Sequence, residues 1–294
     1  IVGTSDAPIV PEIIDGFRTI GALIEDNQLA KLSSGNLDYT TASRPFGNNA
    51  GFVLAEASQF IILASDDLVV ELGAQIFGIA GEVFINADGH KTSITAPGVG
   101  NYLTMAQACV SAKKHFGSQV LANSMVHAHG SSTPQNRVTE SHILNEIAKV
   151  FGISEWPVVA IKSYLGHTQG SASGDQLIST LGTWQHGIIP GITTIDKVAD
   201  DVEHSNLNIS CQHTHVKQQN LDVAILNAKG FGGNNASGVV ASPLVAKKML
   251  AEKYTAKDLV AYNKKCEQTV ARSQAYIRDS QHGNVAPIYH LTKS

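Results

Sequence analysis

The sequence predicts an α/β fold, and three observations support this. Segments with strand and helix patterns alternate along most of the 294 residues. Hydrophobic residues make up 43% of the chain and charged residues only 16%, which suits a large buried core and excludes a disordered chain. The chemically distinctive motifs directly follow predicted strands, where open α/β sheets place their sites.

Apolar periodicity and turn residues predict the elements in order. The first is a helix and its exit over residues 12–35. Residues 52–55 and 60–64 then read as a buried strand pair, or as a helix running into a strand. Strands are predicted at 76–87, 125–128, 158–161, 221–228 and 237–241, and helices at 102–116, 138–151, 174–186 and 245–281. The second of these helices is predicted to point Ile143, Leu144, Ile147 and Val150 inward.

Composition excludes several function classes. A net charge of −4 argues against binding to nucleic acid. No apolar run reaches the roughly 18 residues needed to span a bilayer, so no membrane span is expected. Cys109, Cys211 and Cys266 are too scattered for a disulfide framework, which predicts reduced thiols and a cytoplasmic protein. The chain starts at Ile1 with neither Met nor a signal peptide, which is typical of an internal start.

Three motifs carry the candidate chemistry. They read His129-Gly130-Ser131-Ser132-Thr133-Pro134, Lys162-Ser163-Tyr164-Leu165-Gly166-His167 and Gly230-Phe231-Gly232-Gly233-Asn234-Asn235. Two imidazoles, a cation and a glycine-rich loop with free backbone N–H groups suit chemistry on an acyl carbonyl. On the residues alone, the histidines also fit loop caps, the lysine a surface residue at a strand end, and the glycine loop a β-turn.

Two histidine pairs have the spacing of strand metal ligands. His127 and His129 are two residues apart, and so are His213 and His215. Histidines on the same face of a strand can bind zinc, but no third ligand with suitable spacing accompanies either pair. Cys211 beside His213 is only suggestive. We therefore expect no metal site.

Together, the three motifs resemble those of the β-ketoacyl-acyl-carrier-protein synthases, the condensing enzymes of the thiolase superfamily. The order and approximate spacing of the motifs match, and Arg44-Pro45-Phe46 followed by Gly51-Phe52-Val53 adds support. The resemblance implies an α/β, thiolase-like αβαβα layered fold, incomplete in this chain, with a helical C-terminal extension. Residues 1–70 would end the N-terminal thiolase-like half, 71–243 would form the C-terminal half, and 244–294 the extension.

The resemblance also implies a function. The chain would belong to an acyltransferase, a 3-oxoacyl-carrier-protein synthase of fatty acid or related polyketide biosynthesis. The reaction is the decarboxylative Claisen condensation of malonyl-carrier protein with an acyl thioester. Acyl carrier protein is the implied partner and a homodimer the implied assembly. No cofactor is implied beyond the phosphopantetheine that the carrier protein brings.

The family's nucleophilic cysteine is absent from its expected place. In family members, the nucleophile lies before the stretch that Ile1-Val2-Gly3-Thr4 resembles. The cysteines of this chain, Cys109, Cys211 and Cys266, all lie after that stretch. The nucleophile is therefore expected outside this sequence, in a missing N-terminal portion or a partner chain.

Residue roles follow from the same resemblance. His129 and His167 would polarise the malonyl carbonyl, while Lys162, paired with Glu140, would hold their network. Phe231 would lend its backbone N–H to an oxyanion hole and its ring to an acyl gate, with Gly232 and Gly233 allowing close approach. Ser131 and Thr133 would bind the phosphopantetheine arm. Glu140 also fits an ordinary N-terminal helix residue favoured by the helix macrodipole, and Ser131 and Thr133 fit an ordinary turn.

Two positions depart from the family pattern. Ser132 stands where many members have Gly, and Arg137 where many have Asp. The arginine changes the charge near Glu140 and could alter carrier or substrate preference. His127 often is an acidic residue in relatives, and its role is open.

Two other functions remain as alternatives. A non-catalytic subunit that shapes the pocket of an active synthase would also lack the cysteine, although retention of both histidines and Lys162 weighs against it. A degradative thiolase would need a second cysteine in a Cys-x-Gly motif near the C-terminus. The glycine loop offers Phe231 instead.

Overall fold

The computed structural model describes residues 1–6, 9–35, 37–90, 98–217 and 220–285. The chain forms two compact units. The first contains residues 1–62 and 78–245, and the second contains 63–77 with the described residues after 245. The division of the chain into thiolase-like halves at residue 70, with an extension from residue 244, remains a prediction.

The helices and strands follow one another in this order: β1 (Val2–Asp6), α1 (Pro11–Thr19), α2 (Asp26–Leu32), β2 (Ala57–Ile61), α3 (Asp66–Leu72), β3 (Ile79–Ala87), α4 (Val99–Phe116), β4 (Ser124–His127), α5 (Pro134–Phe151), β5 (Trp156–Val159), α6 (Lys162–Leu165), α7 (Ala172–His186), β6 (Ile188–Ile189), β7 (Leu207–Asn208), β8 (Thr214–His215), β9 (Val223–Gly230), β10 (Asn234–Ala241), α8 (Pro243–Lys253) and α9 (Ala256–Gln281).

A six-stranded mixed sheet organises the first unit. Its strand order is β3-β10-β9-β4-β5-β7. The first three strands pair antiparallel, and β9, β4, β5 and β7 pair parallel. Val126 of β4 lies between Ile225 of β9 and Val158 of β5, so three β-branched residues meet at the centre of the sheet.

Helices cover both faces of this sheet. On one face, the main core joins α4 and α5 to the strands through Met105, Cys109, Ile143, Leu144, Val126, Val158 and Ile225. On the other, Trp184 of α7 packs with Met125, Val159 and Ala224. Both faces of the central strands are therefore apolar, as expected where helices cover a parallel sheet.

Local signals fix the ends of α5. The Thr133 side chain accepts a hydrogen bond from the backbone N–H of Asn136, and Pro134 occupies the first turn. Gly152 ends the helix in the left-handed conformation, at φ 68°. The helix therefore starts at Pro134, the last residue of the first motif. Because β4 ends at His127, the motif connects the carboxyl end of β4 to α5.

The structure corrects three sequence expectations. The helix predicted from residue 12 is two helices, because the chain turns at Gly21 with φ 66°. The strand near residue 60 is β2, paired only with β1 in the described chain, and Phe60 is 70% exposed rather than buried. Val150 is 74% exposed, because the apolar stripe of α5 continues through Ala148 and Phe151.

The other predicted strands and helices of the first unit are present, with ends shifted by a few residues. The strand predicted at 76–87 is β3, which runs unbroken from residue 79. The helices predicted at 102–116, 138–151 and 174–186 are α4, α5 and α7. The strands at 125–128, 158–161, 221–228 and 237–241 are β4, β5, β9 and β10.

The second unit is helical. The helix predicted over residues 245–281 is confirmed as α8 and α9, which are separated where Thr255 caps the start of α9. The Lys253 ammonium contacts the carboxylates of Asp66 and Asp67 in the first turn of α3, and the Tyr262 hydroxyl donates to the Ala74 carbonyl at 2.9 Å. No helix in the described ranges is both long enough and apolar enough to cross a membrane.

Candidate active site

His129 lies in a turn that a buried carboxylate holds in place. The Glu140 side chain accepts hydrogen bonds from the backbone N–H groups of His129 at 2.6 Å and Gly130 at 2.8 Å. It also accepts from the side-chain amides of Asn136 and Asn227, each at 2.8 Å. Four N–H donors therefore compensate the burial of this charge, which is fully inaccessible to solvent. The position of His129 is fixed by the carboxylate.

Lys162 approaches the same turn from α6. Its ammonium donates to the His129 carbonyl at 2.6 Å, and the residue is only 3% exposed. Burial lowers the pKa of Lys162 to about 8, although the Glu140 and Asp175 carboxylates oppose that shift. Glu140 and Lys162 thus interact by long-range electrostatic attraction. They do not form the direct ion pair that the sequence predicted, because four N–H donors already occupy the Glu140 carboxylate.

The two histidines share one tautomer. The backbone N–H of Lys229 donates to Nδ1 of His129 at 3.3 Å, and that of Gln169 donates to Nδ1 of His167 at 3.1 Å. An imidazole nitrogen that accepts a hydrogen bond carries no proton, so the proton of each neutral ring lies on Nε2. Each ring can therefore donate one N–H bond from Nε2.

Both imidazoles are neutral at physiological pH. Burial, followed by the Lys162 charge, lowers the pKa of His167 to about 3. Burial also holds the pKa of His129 well below its usual value, with further contributions from Lys162, His167 and Lys229. Cations near a buried imidazole oppose its protonation, so the pair stays in the donor–acceptor form.

A line of rings runs from the histidines to the glycine loop. The His129 and His167 rings meet edge-on, with centroids 5.1 Å apart and planes at 78°. Phe52 packs against His167 at 5.2 Å and against Phe17 of α1 at 5.3 Å. Phe17 in turn lies 6.0 Å from the ring of Phe231. Neither Phe17 nor Phe52 was predicted as a site residue, because Phe17 sits in the apolar pattern of a helix and Phe52 was only part of a supporting motif.

The glycine loop is the hairpin turn between β9 and β10. Gly232 and Gly233 have φ angles of 81° and 86°, which favour glycine, and Phe231 is 54% exposed. The Gly233 carbonyl accepts from the backbone N–H of Asp88 at 2.8 Å, and the Asp88 carboxylate accepts from the Asn235 side chain at 2.8 Å. The loop is thereby attached to the end of β3, and the Phe231 ring extends toward Phe17.

Ser131 and Thr133 lie together at the start of α5. Their hydroxyls are 3.2 Å apart, and Thr133 is also the cap of the helix. Between them, Ser132 has a φ of 60°, and its hydroxyl accepts the backbone N–H of Arg44 at 2.7 Å. The positive φ explains why glycine suits this position in many family members.

The Arg137 guanidinium is held by Asp201 and Asn49. It forms two hydrogen bonds of 2.8 Å to Asp201 and one of 3.1 Å to the Asn49 side chain. The Arg137 guanidinium lowers the pKa of Asp201. The charge that the sequence expected to act near Glu140 is therefore neutralised by Asp201, and it ties α5 to two loops.

Cys109 and Cys211 lie in surroundings that disfavour a nucleophilic thiolate. Cys109 is buried in the main core, and burial raises the pKa of its thiol to about 12. Burial and Asp196 raise the pKa of Cys211. Cys266 lies in the helical unit. In the described ranges, no group of three or more His, Cys, Asp and Glu side chains could hold a metal ion.

Comparison with known proteins gives the family. Residues 77–196 match the family described as beta-ketoacyl synthase, C-terminal domain. Over 293 residues, the chain is 52% identical to the β-ketoacyl-[acyl-carrier-protein] synthase FabY of Pseudomonas aeruginosa. The aligned region covers 99% of this chain and 46% of FabY. The chain belongs to the β-ketoacyl-acyl-carrier-protein synthases. It is also 30% identical over 244 residues to 3-oxoacyl-[acyl-carrier-protein] synthase 2 of Synechocystis sp., across 81% of this chain and 53% of that protein.

Solved structures agree on the fold. The crystal structure of the noncanonical ketosynthase FabY from P. aeruginosa matches with a TM-score of 0.92 and 52% identity, over 96% of this chain and 44% of that one. A type II polyketide ketosynthase in complex with its acyl-carrier protein, AntDE:AntF, matches with a TM-score of 0.65 and 24% identity, over 81% and 54% of the two chains. The predicted thiolase-like α/β fold is confirmed. The chain spans about half the length of the relatives it matches.

Proposed function

We propose that this chain provides the malonyl-activating half-site of a β-ketoacyl-carrier-protein synthase. The observation that carries the proposal is the pair of neutral imidazoles, which meet edge-on and each keep a proton on Nε2. Two N–H donors directed at one oxygen form an oxyanion site for a thioester carbonyl. The similarity to FabY and to a 3-oxoacyl-carrier-protein synthase supports the same assignment.

The reaction starts with decarboxylation. The malonyl thioester binds with its carbonyl oxygen between Nε2 of His129 and Nε2 of His167. The bond between the α-carbon and the carboxylate breaks, its electron pair forms the enolate, and CO2 leaves. The negative charge then rests on the oxygen that both imidazoles contact. Because both rings are neutral donors, they stabilise the enolate without protonating it.

Condensation follows from the same geometry. The α-carbon of the enolate attacks the acyl carbonyl held on a cysteine, which we expect outside this sequence. The cysteine thiolate leaves, and the new carbon–carbon bond gives a β-ketoacyl thioester on the carrier protein. In this step the Phe231 backbone N–H would stabilise the tetrahedral oxyanion, and its exposed ring would gate the acyl chain. The hydroxyls of Ser131 and Thr133 would hold the phosphopantetheine arm.

Acyl carrier protein is the proposed partner, and a cytoplasmic homodimer the proposed assembly. The protein itself would need no cofactor, because phosphopantetheine arrives with the carrier. The relatives FabY and 3-oxoacyl-[acyl-carrier-protein] synthase 2 are synthases named for the acyl carrier protein, and one similar structure is a ketosynthase with its acyl-carrier protein. The pathway would be fatty acid synthesis, with polyketide synthesis as the related possibility.

The test is a condensation assay on the full-length gene product that contains this chain. Acyl- and malonyl-carrier protein are supplied together, and mass spectrometry follows the carrier-bound product while CO2 release is counted. We expect one β-ketoacyl product per CO2. If neither product nor CO2 is formed, the proposal is contradicted. That result would favour the non-catalytic subunit that shapes the pocket of another synthase.

A further inference from the structure

The Asp175 carboxylate has no part in the chemical steps, yet it is buried next to the turn that follows His167. Asp175 lies in the first turn of α7 and is 9% exposed. Its Oδ2 accepts a hydrogen bond from the Thr168 hydroxyl at 2.5 Å, and its Oδ1 accepts from the side-chain amide of Gln59 in β2. Two neutral donors compensate only part of the cost of burying this charge, so a cation nearby would stabilise it further.

The turn of residues 168–171 determines which nitrogen of the His167 ring carries the proton. The backbone N–H of Gln169 donates to Nδ1 of His167 at 3.1 Å, and Gln169 has a φ of 52°. This left-handed conformation is unfavourable for a residue other than glycine, so contacts around the turn must maintain it. They are the bond from Thr168 to Asp175, the bond from the Gly170 N–H to the Asp6 carboxylate at 2.7 Å, and the bond from the Ser171 hydroxyl to the Ala57 carbonyl at 3.1 Å.

Asp175 also connects this turn to the pair of strands β1 and β2. Gln59, which donates to Asp175, accepts from the hydroxyl of Thr4, its partner on β1, at 2.8 Å. Gln59 is only 8% exposed, so this chain of hydrogen bonds lies in a medium of low dielectric constant, where each bond strengthens the next. The carboxylate therefore joins α7, β2 and the residue directly after His167.

The charge of Asp175 acts on Lys162 as well. Burial lowers the pKa of Lys162 to about 8, and the carboxylates of Glu140 and then Asp175 oppose that shift. Opposite charges favour the ammonium form, so Lys162 keeps its proton to a higher pH because Asp175 is there. The imidazoles whose pKa values Lys162 lowers in turn are those of His127, His129 and His167, and Lys229 also lowers the pKa of His129.

We propose that Asp175 is a positioning residue for both imidazoles. Its hydrogen bond to Thr168 fixes the turn that orients His167, and its negative charge helps to hold the Lys162 ammonium at the His129 carbonyl. The inference rests on the proposed function and adds to it a residue that touches neither the substrate nor the reacting atoms.

The experiment separates the charge of Asp175 from its hydrogen bond in the full-length gene product. Asp175→Asn removes the charge and keeps the shape, because the Asn oxygen can accept from Thr168 while a reversed Gln59 amide accepts from the Asn NH2 group. Thr168→Val removes the hydrogen bond and keeps the charge, and Thr168→Ser restores the hydroxyl. Asp200→Asn, at an exposed position, is the matched control for the loss of one negative charge.

The first readout is the pH dependence of CO2 release, together with an NMR titration of Lys162 in protein with 13C-labelled lysine. In Asp175→Asn, the Lys162 midpoint and the alkaline decline should both move down from about pH 8, by on the order of one unit. Thr168→Val and Asp200→Asn should leave the midpoint in place. An unchanged midpoint in Asp175→Asn would overturn the proposed effect on Lys162.

The second readout is the 15N NMR spectrum of the His167 ring. The proton should lie on Nε2 in the wild type, Asp175→Asn and Thr168→Ser, whereas Thr168→Val should show a mixture of tautomers. Thr168→Val should also lower kcat for CO2 release about 10-fold, with KM and acyl loading within about twofold of wild type. The wild-type tautomer and kcat in Thr168→Val would overturn the positioning of His167. An equal loss of acyl loading would make the hydrogen bond merely structural.

The NMR readouts separate failure of this inference from failure of the proposed function. If the wild type releases no CO2 but the Lys162 and His167 signals change in the variants as expected, the role of Asp175 stands and the synthase activity is refuted. If the wild type releases CO2 and these signals are identical in all variants, the synthase activity stands and the role of Asp175 is refuted.

Discussion

The imidazole of His129 meets that of His167 edge-on, with ring centroids 5.1 Å apart. A backbone N–H occupies Nδ1 of each ring, which leaves the Nε2 protons for a ligand. Lys162 then acts on both rings at once, since its ammonium bonds the His129 carbonyl and its charge lowers both pKa values. The lysine thus links the geometry of the site to its protonation state.

The rate of CO2 release should therefore not depend on pH in the mildly acidic range. The pKa of His167 is about 3 and that of His129 is well below its usual value, so both rings stay neutral from about pH 5 to 7. Above the Lys162 pKa of about 8, the ammonium loses its proton, its bond to the His129 carbonyl weakens, and the rate should fall.

The measurement is a pH profile of uncoupled malonyl decarboxylation in the full-length gene product. Lys162→Met should be slower and should lack the alkaline decline. An acid limb in the wild type near the ordinary histidine value of about 6.5 would contradict the neutral-donor account.

His127 should make the fold sensitive to acid. It is inaccessible to solvent, and neither of its ring nitrogens has a hydrogen-bond partner among the residues that the structure describes. Burial, followed by the Lys162 charge, lowers its pKa to about 3. Between the unfolded value of about 6.5 and the folded one, the unfolded chain binds one more proton, so stability falls as pH falls.

His127→Leu removes that proton uptake. The variant should be as stable as the wild type or more so at pH 7, because an unsatisfied polar group is removed. On going to pH 5, it should lose about 2 kcal/mol less of its free energy of unfolding than the wild type. Urea unfolding at the two pH values checks this, with the exposed His204→Leu as control. An identical pH dependence in His127→Leu and the wild type would show that His127 is protonated in the folded state.

The two glycines of the loop should tolerate alanine differently. Both have positive φ, so each substitution should cost about 1–2 kcal/mol of backbone strain. At Gly232 a new Cβ meets nothing within 4 Å, whereas at Gly233 it would lie 2.8 Å from Cβ of Asp88. Gly233→Ala should therefore displace Asp88 as well, and lower both stability and condensation more than Gly232→Ala does. Urea unfolding and the condensation assay measure both effects, and equal losses would argue against the Asp88 attachment.

Much of the fold follows from the sequence, because strands β4, β5 and β9 are short apolar runs that end at turn residues. His129 follows β4 and Lys162 follows β5, its parallel neighbour, so the proximity of these two residues was predictable from topology alone. The two exposed strands β1 and β2 were not predictable in the same way, since Phe60 is apolar yet faces solvent.

Side-chain partners were the less predictable part. The four donors to Glu140 come from residues 129, 130, 136 and 227, and no spacing rule joins the last of these to the others. The partner of Arg137 lies 64 residues away, so its charge could not be assigned from the sequence. The ring contact of Phe17 with Phe231 joins residues far apart in the sequence, and helical periodicity did not reveal the break at Gly21.

The measurement that most directly tests the oxyanion site is CO2 release from malonyl-carrier protein by His129→Ala and His167→Ala in the full-length gene product. His204→Ala, at an exposed position, is the control. Each active-site variant should lose about 100-fold or more of the decarboxylation rate, while acyl loading stays measurable. Decarboxylation within about threefold of wild type in either variant would contradict the proposal that two neutral imidazoles stabilise the enolate.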